Sequence, residues 1–457
     1  SSDLVVPSRK KPNLSRRLTA CDRTFIAFRF VSNRGESLMA LSMPTHAIDA
    51  QHKPRLRDYL SAELNDDDFI LFDTRRVGDP IRLSAFALQL ASRFFDGTRT
   101  LGEIHAEITS KEKVRITLPT LLGLARTLDK CLLLDGPSIQ SVLASPVRKP
   151  SCLGCYDEEP EQLRKQLAAL FSARGGPGLP KVPRSKSGTR SKSRAKDRLK
   201  ALLVPHIDYA RGNVCYGWGF KELAERTDAR LFVIVGTSHY SPHRFTLTRQ
   251  HFETPLGVVE TDQAMVEKLV EAYGEGGLFE DEIAHLPEHS IELEVVLLQY
   301  LFEKRGPIRI LPLVVGSYSD CVEERTSPSA AADVARMISA LQHLEQAAGE
   351  PICFIISGDL ARIGPKFGDK RPVGPRTLAS SRAKDELLLK HAGAVDAAGY
   401  FNAIAAESDN RRICGLPPTY LVLESTRPRS GRLLNYQQYV HPRGMESVSF
   451  ASMAFYE

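Results

Sequence analysis

The chain has 457 residues, 42% of them hydrophobic and 25% charged, which favours a water-soluble globular protein with more than one domain. No apolar run approaches the roughly 20 residues that cross a bilayer, and no secretory signal is visible, so membrane and secreted classes are not expected. Eight cysteines with one close pair do not form a disulfide framework, and we expect reduced thiols in a cytoplasmic protein.

The net charge of +6 comes from one segment. Arg184–Lys200 contains eight Lys/Arg and one Asp, a sum of +7, so the rest of the chain carries 6 − 7 = −1. The run has no interleaved aromatic residue and is typical of a solvated linker. Nucleic-acid binding is therefore not expected.

The first part of the chain divides into a tail and a small domain. Residues 1–45 are basic and without period, which predicts disorder or a true start nearer Met39 or Met43. Residues 50–140 predict helices with small flanking strands, as in a winged-helix module. The predicted strands are Phe69–Phe72, Ile81–Leu83 and Leu132–Leu134; the helices are Ser84–Phe95, Thr100–Ile108, capped by Thr98 or Thr100, and Leu118–Cys131.

Phe95–Ile104 (FDGTRTLGEI) resembles the Asp-Gly-x-Arg-Thr-Leu-x-Glu-Ile pattern of PqqD-like peptide-chaperone domains. The resemblance implies a small domain that holds a peptide along a strand edge. The alternative is a general helical adaptor that packs against the second domain.

Residues 141–200 predict a linker that contains a surface helix, Glu158–Ala173, and a CxxC pair, Cys152 and Cys155. A zinc site would need a second ligand pair, which the sequence lacks. A thioredoxin-type site would need a strand before the pair and a helix after it, whereas a Pro/Ser-rich loop precedes it.

Residues 201–457 alternate apolar strands with amphipathic helices, which predicts an α/β fold with a mostly parallel sheet flanked by helices. The predicted strands are Ala201–Val204, Leu231–Val235, Phe245–Thr248, Ile308–Val315, Ile352–Ser357, Thr419–Ser425, Leu433–Tyr439 and Val448–Phe455. The predicted helices are Val214–Arg226, Asp262–Tyr273, His289–Lys304, Ala330–Ala348 and Asp396–Ser408.

Polar side chains follow several of these strands. His206, His239 and Asp359 come directly after predicted strands, and Cys414 lies in a further loop. Loops at the carboxyl ends of neighbouring parallel strands converge on one crevice. Two imidazoles and a thiolate suit iron, copper or zinc, with a carboxylate as a fourth ligand or as an orienting group.

Five ordered motifs carry a second resemblance: PHIDYARG, VIVGTSH, EHSIELE, ISGDLARIGPKFG and ICG, which begin at Pro205, Val233, Glu288, Ile356 and Ile413. They resemble the Memo family, which includes bacterial members called AmmeMemoRadiSam system protein B. That family is similar in fold to class III extradiol (LigB-type) dioxygenases, which use non-haem Fe(II). The resemblance implies a pocket with iron or copper, and it places His206, His239, Asp359 and Cys414 there.

One residue departs from the family pattern. The family usually has a histidine three residues after the aspartate, and this chain has Arg362. An arginine is always protonated and cannot ligate a metal. Its charge would weaken metal binding while favouring an anionic substrate or the Cys414 thiolate.

Three functions remain open. In the first, His206, His239 and Cys414 hold iron or copper for an oxidoreductase-like reaction, with Asp359 as ligand or base and Arg362 on an anionic group. In the second, Cys414 is a metal-free nucleophile. In the third, the pocket binds a peptide and the protein is an adaptor. Further possible pocket residues are His289, Tyr209 and Ser238, with His243 and His285 as weaker candidates.

The family context implies a peptide or protein substrate and cooperation with a radical-SAM enzyme and an AMMECR-type protein. The chain lacks the CxxxCxxC cluster motif and so is not itself the radical enzyme.

Overall fold

A computed structural model describes residues 48–111, 115–181 and 198–457. The tail 1–45 and most of the basic run lie outside the described residues. The described chain forms a small N-terminal unit and a large α/β unit, each with its own apolar core. No described helix has both the length and the apolar character that a membrane crossing requires.

The N-terminal unit packs helices on a three-stranded antiparallel sheet. Thr100 and Glu103 form the predicted cap of the second helix: the Glu103 carboxylate accepts from the Thr100 N–H at 2.8 Å, and the Thr100 hydroxyl accepts from the Glu103 N–H at 3.1 Å. The elements are β1 Leu60–Asn65, β2 Asp68–Asp73, β3 Ile81–Ser84, α1 Ala85–Phe94, α2 Leu101–Lys111, α3 Leu118–Lys130 and α4 Pro137–Ala144.

The predicted strand Leu132–Leu134 is wrong. Leu134 makes only an isolated bridge with Leu56, because the chain turns at Cys131 and Leu132 directly after α3.

The large unit is built on one sheet, eleven-stranded in the described residues. Its strands are β4 Val147–Arg148, β5 Leu199–Val204, β6 Leu231–Thr237, β7 Phe245–Leu247, β8 His251–Thr254, β9 Gly257–Thr261, β10 Arg309–Val315, β11 Ile352–Ser357, β12 Arg362–Ile363, β13 Ser430–Val440 and β14 Ser447–Tyr456. Its helices are α5 Pro160–Ser172, α6 Tyr209–Gly212, α7 Val214–Arg226, α8 Gln263–Tyr273, α9 His289–Phe302, α10 Ser319–Glu324, α11 Ala332–Ala347, α12 Pro375–Gly393, α13 Ala397–Ala405 and α14 Leu416–Thr426. Short 3₁₀ turns span Glu282–His285, Pro328–Ala330 and Pro365–Phe367.

The sheet is mixed rather than mostly parallel. Its order is β12-β14-β5-β11-β6-β10-β9-β8-β4, with β13 beside β14 and β7 beside β10. The centre from β5 to β9 is parallel, as predicted, while β14, β13, β12, β7 and the β8–β9 hairpin add antiparallel pairs. The hairpin-connected strands at the edges need no crossover helix, which is why they run antiparallel.

Helices cover both faces of the parallel centre. Along β6, Leu231, Val233 and Val235 enter the core that contains α8, α11 and α14, while Phe232 and Ile234 enter the core that contains α5, α7 and α9. A strand buried on both faces reads as a continuous apolar run, which is what made β6, β10 and β11 predictable.

The predicted strand Thr419–Ser425 is wrong, since this segment lies in α14. The helix begins after Gly415 with Pro417 in its first turn, where a missing N–H is tolerated. It is buried on nearly every side, so the sequence has no polar face that would reveal helical periodicity.

Part of the predicted linker is structured. β4 pairs with β8 in the large sheet, and α5 buries Leu163, Leu167 and Phe171 in the core beside α9. α5 itself corresponds to the predicted helix Glu158–Ala173. Residues 147–172 therefore belong to the large unit.

A buried ion pair fixes this segment. Arg148 Nη2 donates to Glu292 Oε2 at 2.7 Å, and the two side chains are 1% and 0% exposed. The same carboxylate accepts from the Ser151 and Cys152 N–H groups and from the Tyr156 hydroxyl. Glu292 thus ties the CxxC segment to α9.

The two units are also joined by a buried ion pair. Arg75 Nη2 lies 2.8 and 2.9 Å from the two carboxylate oxygens of Asp281. Arg76, the next residue, hydrogen-bonds the side chain of Tyr240 in the large unit. The N-terminal unit is therefore held against the loop that follows β6.

Replacing Arg148 by methionine should lower the free energy of unfolding by about 3–5 kcal/mol, because Glu292 would remain buried without its cation. Lys149→Met is the matched control, since the Lys149–Glu253 pair is exposed on the lysine side and should contribute less than about 1 kcal/mol. Urea unfolding measures both. An equal decrease in the free energy of unfolding in the two variants would show that the buried pair contributes no more to stability than the exposed one.

Candidate functional site

Three predicted residues meet at the carboxyl ends of adjacent parallel strands. His206, His239 and Asp359 each lie two residues beyond the last residue of β5, β6 and β11. These strands are neighbours in the order β5-β11-β6, so their loops open into one crevice.

Cys414 joins this crevice from the loop before α14. Its Sγ lies 3.1 Å from His206 Nε2, and its carbonyl accepts from the Thr237 hydroxyl at 2.8 Å. The loop can come this near because Gly358 and Gly415 touch: a Cβ on Gly358 would lie 2.5 Å from the Gly415 Cα. Any side chain at Gly358 would push the thiol away from His206.

Arg362 places its guanidinium against the two imidazoles. Nη2 lies 2.9 Å from His206 Nε2, and Nη1 lies 3.5 Å from His239 Nε2. Nη2 is also 3.4 Å from an oxygen of Asp359. A guanidinium only donates, so His206 Nε2 accepts and must be unprotonated.

The surroundings of His206 favour the neutral ring that accepts this hydrogen bond from Arg362. Burial, followed by the charges of His239 and Arg362, lowers the pKa of His206 well below its usual value. Its backbone N–H donates to Asp359 Oδ1 at 3.1 Å. Burial raises the pKa of Asp359, against the lowering effect of Arg362. Asp359 therefore positions both His206 and the guanidinium.

Glu288 orients His239. Its carboxylate oxygens lie 3.0 and 3.2 Å from His239 Nδ1 and accept from the His239 backbone N–H at 2.8 Å. Glu288 is the N-cap of α9 and also accepts from the Ser290 N–H at 3.0 Å. Burial alone would lower the pKa of His239, but the charge and hydrogen bonds of Glu288, with a bond to Cys414, raise it to about 9. His239 Nε2 therefore faces the pocket.

His289 is a third imidazole in the pocket. Its ring centroid lies 4.8 Å from that of His239 and 5.2 Å from that of His206. Burial and then the charge of His239 lower the pKa of His289 to about 4, so it is neutral at pH 7.

Two groups of side chains have the spacing of metal ligands. His206, His239 and Cys414 form one, and His239, Glu288 and His289 form the other, with all ligand atoms in a group within 4.8 Å of one another. The first group matches the predicted ligands. Asp359 belongs to neither group among the described residues, although its Oδ2 lies 3.6 Å from His206 Nε2, so its role as a fourth ligand or a base stays a prediction.

The donors fit a transition metal, but Arg362 competes for them. Imidazole and thiolate are ligands that iron and copper accept. The guanidinium approaches the same Nε2 atoms that would face an ion, so it has to withdraw before an ion can bind.

The remaining predicted residues lie at different places relative to the pocket. Tyr209 is buried in the core and its hydroxyl donates to the Leu293 carbonyl at 2.5 Å. Ser238 shapes the loop after β6: its N–H donates to the Val315 carbonyl, and its hydroxyl accepts from the Ser241 N–H. His243 lies apart, 4.0 Å from Glu280. Sequence reasoning missed the role of Glu288, although a carboxylate just before a helix was a usable signal.

Comparisons with known proteins agree with the resemblance. The sequence model of one family, described as Memo-like protein, matches residues 148–454. A MEMO1 family protein of Aquifex aeolicus is 26% identical over 418 residues, which cover 88% of this chain and 100% of the relative. One from Methanopyrus kandleri is 26% identical over 317 residues, 67% of this chain and 98% of the relative.

The family match begins at residue 148, so the likeness of the N-terminal unit to PqqD-like domains stays a prediction. The Aquifex relative extends further, since 88% of the chain cannot be covered without including β1 to α4. The N-terminal unit is thus shared with at least one relative.

His285 provides a pH test outside the cluster. It is buried, with Nε2 3.0 Å from the Thr246 carbonyl, and burial lowers its pKa to about 4. The unfolded chain takes up this proton at about pH 6.5, so stability falls as the pH drops from 6.5 to 4.

At 1.36 kcal/mol per pKa unit the loss is about 3 kcal/mol. In His285→Gln the glutamine N–H can still donate to the Thr246 carbonyl, but the side chain does not titrate. The free energy of unfolding of this variant should therefore fall by about 3 kcal/mol less than that of the wild type between pH 6.5 and 4. Urea unfolding at several pH values measures the difference, with His391→Gln as control. If the free energy of unfolding changed with pH in the same way in the wild type and in His285→Gln, the lowered pKa of His285 would be contradicted.

Proposed function

The chain belongs to the Memo family, and we propose that its pocket binds one iron or copper ion through His206, His239 and Cys414. The observation that carries the proposal is that one ligand atom from each residue lies within 4.8 Å of the other two. Two imidazoles and a thiolate form a donor set that these metals use in proteins.

Two of the three proposed ligands, His206 and His239, are already suited to bind a metal ion. His206 is neutral, so its Nε2 lone pair is available without loss of a proton. Glu288 fixes the orientation of His239 through Nδ1, in the manner of a carboxylate that supports a metal-bound histidine. Since the pKa of His239 is about 9, binding at pH 7 would release one proton from that ring.

Bound iron or copper would supply a Lewis-acidic, redox-active centre, and this supports an oxidoreductase-like activity. Arg362 is the only residue of the cluster with a fixed positive charge among those described around the pocket. Once it leaves the imidazoles, it would bind an anionic group of the substrate. His289 is neutral, and because its pKa is lowered to about 4 it would stay neutral beside the substrate and offer a ring nitrogen for hydrogen bonding.

The substrate itself and the partner proteins stay predictions. The N-terminal unit contacts Tyr240, the residue after His239, and this supports a role for that unit in bringing a peptide or protein to the pocket. Cooperation with a radical-SAM enzyme and an AMMECR-type protein is implied by the family resemblance.

One observation favours a second candidate. Cys414 and Arg362 both contact His206 Nε2, so a thiol, a base and a cation are adjacent without any ion. A cysteine in such surroundings can react as a nucleophile. In this alternative the protein is a metal-free cysteine enzyme.

Protein purified without oxygen should carry close to one iron or copper per chain by elemental analysis. His206→Ala/His239→Ala should lose it, because two of three ligands are gone. His243→Ala/His391→Ala is the matched control and should keep it, since neither residue lies in the cluster. Folded wild-type protein that takes up neither metal would exclude the metal proposal.

Replacing Arg362 by methionine should raise metal affinity by about tenfold or more, because a positive charge close to the ion disappears. Lys366→Met, a cation of the same loop that pairs with Glu446, is the control and should leave affinity unchanged. Titration with Cu(I) and Fe(II) measures this.

The same variant tests the second candidate. If Cys414 is a metal-free nucleophile, Arg362→Met should slow its alkylation by iodoacetamide and leave metal affinity unchanged. Faster alkylation with stronger metal binding would support the metal site alone.

A further inference from the structure

Apart from the pocket, a pair of cysteine sulfur atoms lies in a tight turn beside α9. Cys152-Leu153-Gly154-Cys155 forms a β-turn in which the Cys155 N–H donates to the Cys152 carbonyl at 2.9 Å. Gly154 has φ +98°, a left-handed conformation that a side chain would strain. Both thiols are free, and they contact each other. We call residues 151–156 the dithiol turn.

The dithiol turn is held rigidly by Glu292. Its carboxylate accepts from the Cys152 N–H at 2.9 Å, from the Ser151 N–H at 3.0 Å and from the Tyr156 hydroxyl at 2.5 Å. The backbone on both sides of the sulfur pair is therefore fixed. The β-turn keeps the Cα atoms of Cys152 and Cys155 within about 7 Å of each other, so a disulfide between them needs little backbone rearrangement.

The two sulfurs have different surroundings. Cys152 is buried, with 7% of its surface exposed, and lies beside the Glu292 carboxylate, whereas Cys155 is half-buried. Hydrogen bonding to Cys155 and then burial raise the pKa of Cys152, while the bond from Cys152 lowers the pKa of Cys155. Cys155 is thus the attacking thiol and Cys152 the resolving one.

Metal binding does not explain the pair. Among the described residues, the groups that could supply three or more ligands do not include Cys152 or Cys155. A structural zinc site needs four ligands. With a metal site set aside, the reaction open to two adjacent thiols is oxidation to a disulfide.

We propose that Cys152 and Cys155 are a redox-active dithiol that exchanges with low-molecular-weight disulfides of the glutathione type. The Cys155 thiolate attacks one sulfur of the disulfide, forms a mixed disulfide and releases one thiolate. Cys152 then passes its proton to the released thiolate, attacks Cys155 Sγ and expels the second thiolate, which takes up from solvent the proton that Cys155 had lost. The protein dithiol loses two electrons, and one disulfide becomes two thiols.

Access for such a compound exists at the surface. An open depression of about 480 Å³ lies against the turn, lined by Gly154, Tyr156, Asp157, Glu158 and Gln166. Leu153, between the two cysteines, is an exposed apolar side chain. The pair is therefore reachable from solvent on the Cys155 side.

The test equilibrates the full chain with glutathione buffers of increasing disulfide fraction, then alkylates free thiols and measures peptide mass. The peptide with both cysteines should pass from two alkylated thiols to none in one two-electron step. Cys152→Ser should trap glutathione on Cys155. Cys155→Ser should leave Cys152 unmodified, with alkylation at least about tenfold slower than that of Cys155 in the first variant.

Cys131→Ser is the control and should retain the step, since Cys131 lies outside both the turn and the pocket. Two free thiols at every buffer ratio would overturn the proposal. Equal glutathione uptake by the two single variants, or a disulfide from Cys155 to Cys131 or Cys414, would overturn it as well. The readout needs no metal, so it is independent of the proposed metal site.

Discussion

Two ionised carboxylates in the first turns of α9 hold the rest of the functional region in place. Glu288 orients His239, and Glu292 anchors Arg148 and the dithiol turn. A buried charge is costly unless it is paired, and here each carboxylate has a cation and several N–H or O–H donors. The helix N-terminus adds a favourable field. A third glutamate, Glu294, has no cationic partner among the described residues, and burial raises its pKa well above the usual value.

The parts of the fold that could be predicted from sequence are those that follow from local rules. β6, β10 and β11 are continuous apolar runs between helices; His239 follows β6, Asp359 follows β11, and His206 follows the apolar strand β5. Because ends of adjacent parallel strands meet, His206, His239 and Asp359 could be placed together before any coordinates were known. Cys414 was placed through its motif, since its loop does not follow a strand and the helix after it, α14, was predicted as a strand.

What could not be predicted depends on contacts between distant residues. Arg148 and Glu292 are 144 positions apart, and nothing local in a Pro/Ser-rich segment indicates that it enters a sheet. α14 read as a strand because it is buried all round. The contact of Arg362 with both imidazoles is also a three-dimensional fact: the sequence showed an arginine in place of a histidine, but not that its guanidinium covers the ligand atoms.

α9 links the two chemistries, since Glu288 and Glu292 are one turn apart on the same helix. The proposed disulfide would form beside Glu292, which holds the Cys152 N–H, and the proposed ion would bind beside Glu288, which holds His239. By thermodynamic linkage, any effect of disulfide formation on metal binding implies an equal effect of metal binding on disulfide formation. Whatever factor oxidation of the turn applies to the metal dissociation constant, the metal applies the same factor to the equilibrium constant for oxidation. If the two proposals hold and that factor differs from one, the thiol balance of a cell would change the metal occupancy of this protein, and metal supply would change how readily its thiols are oxidised.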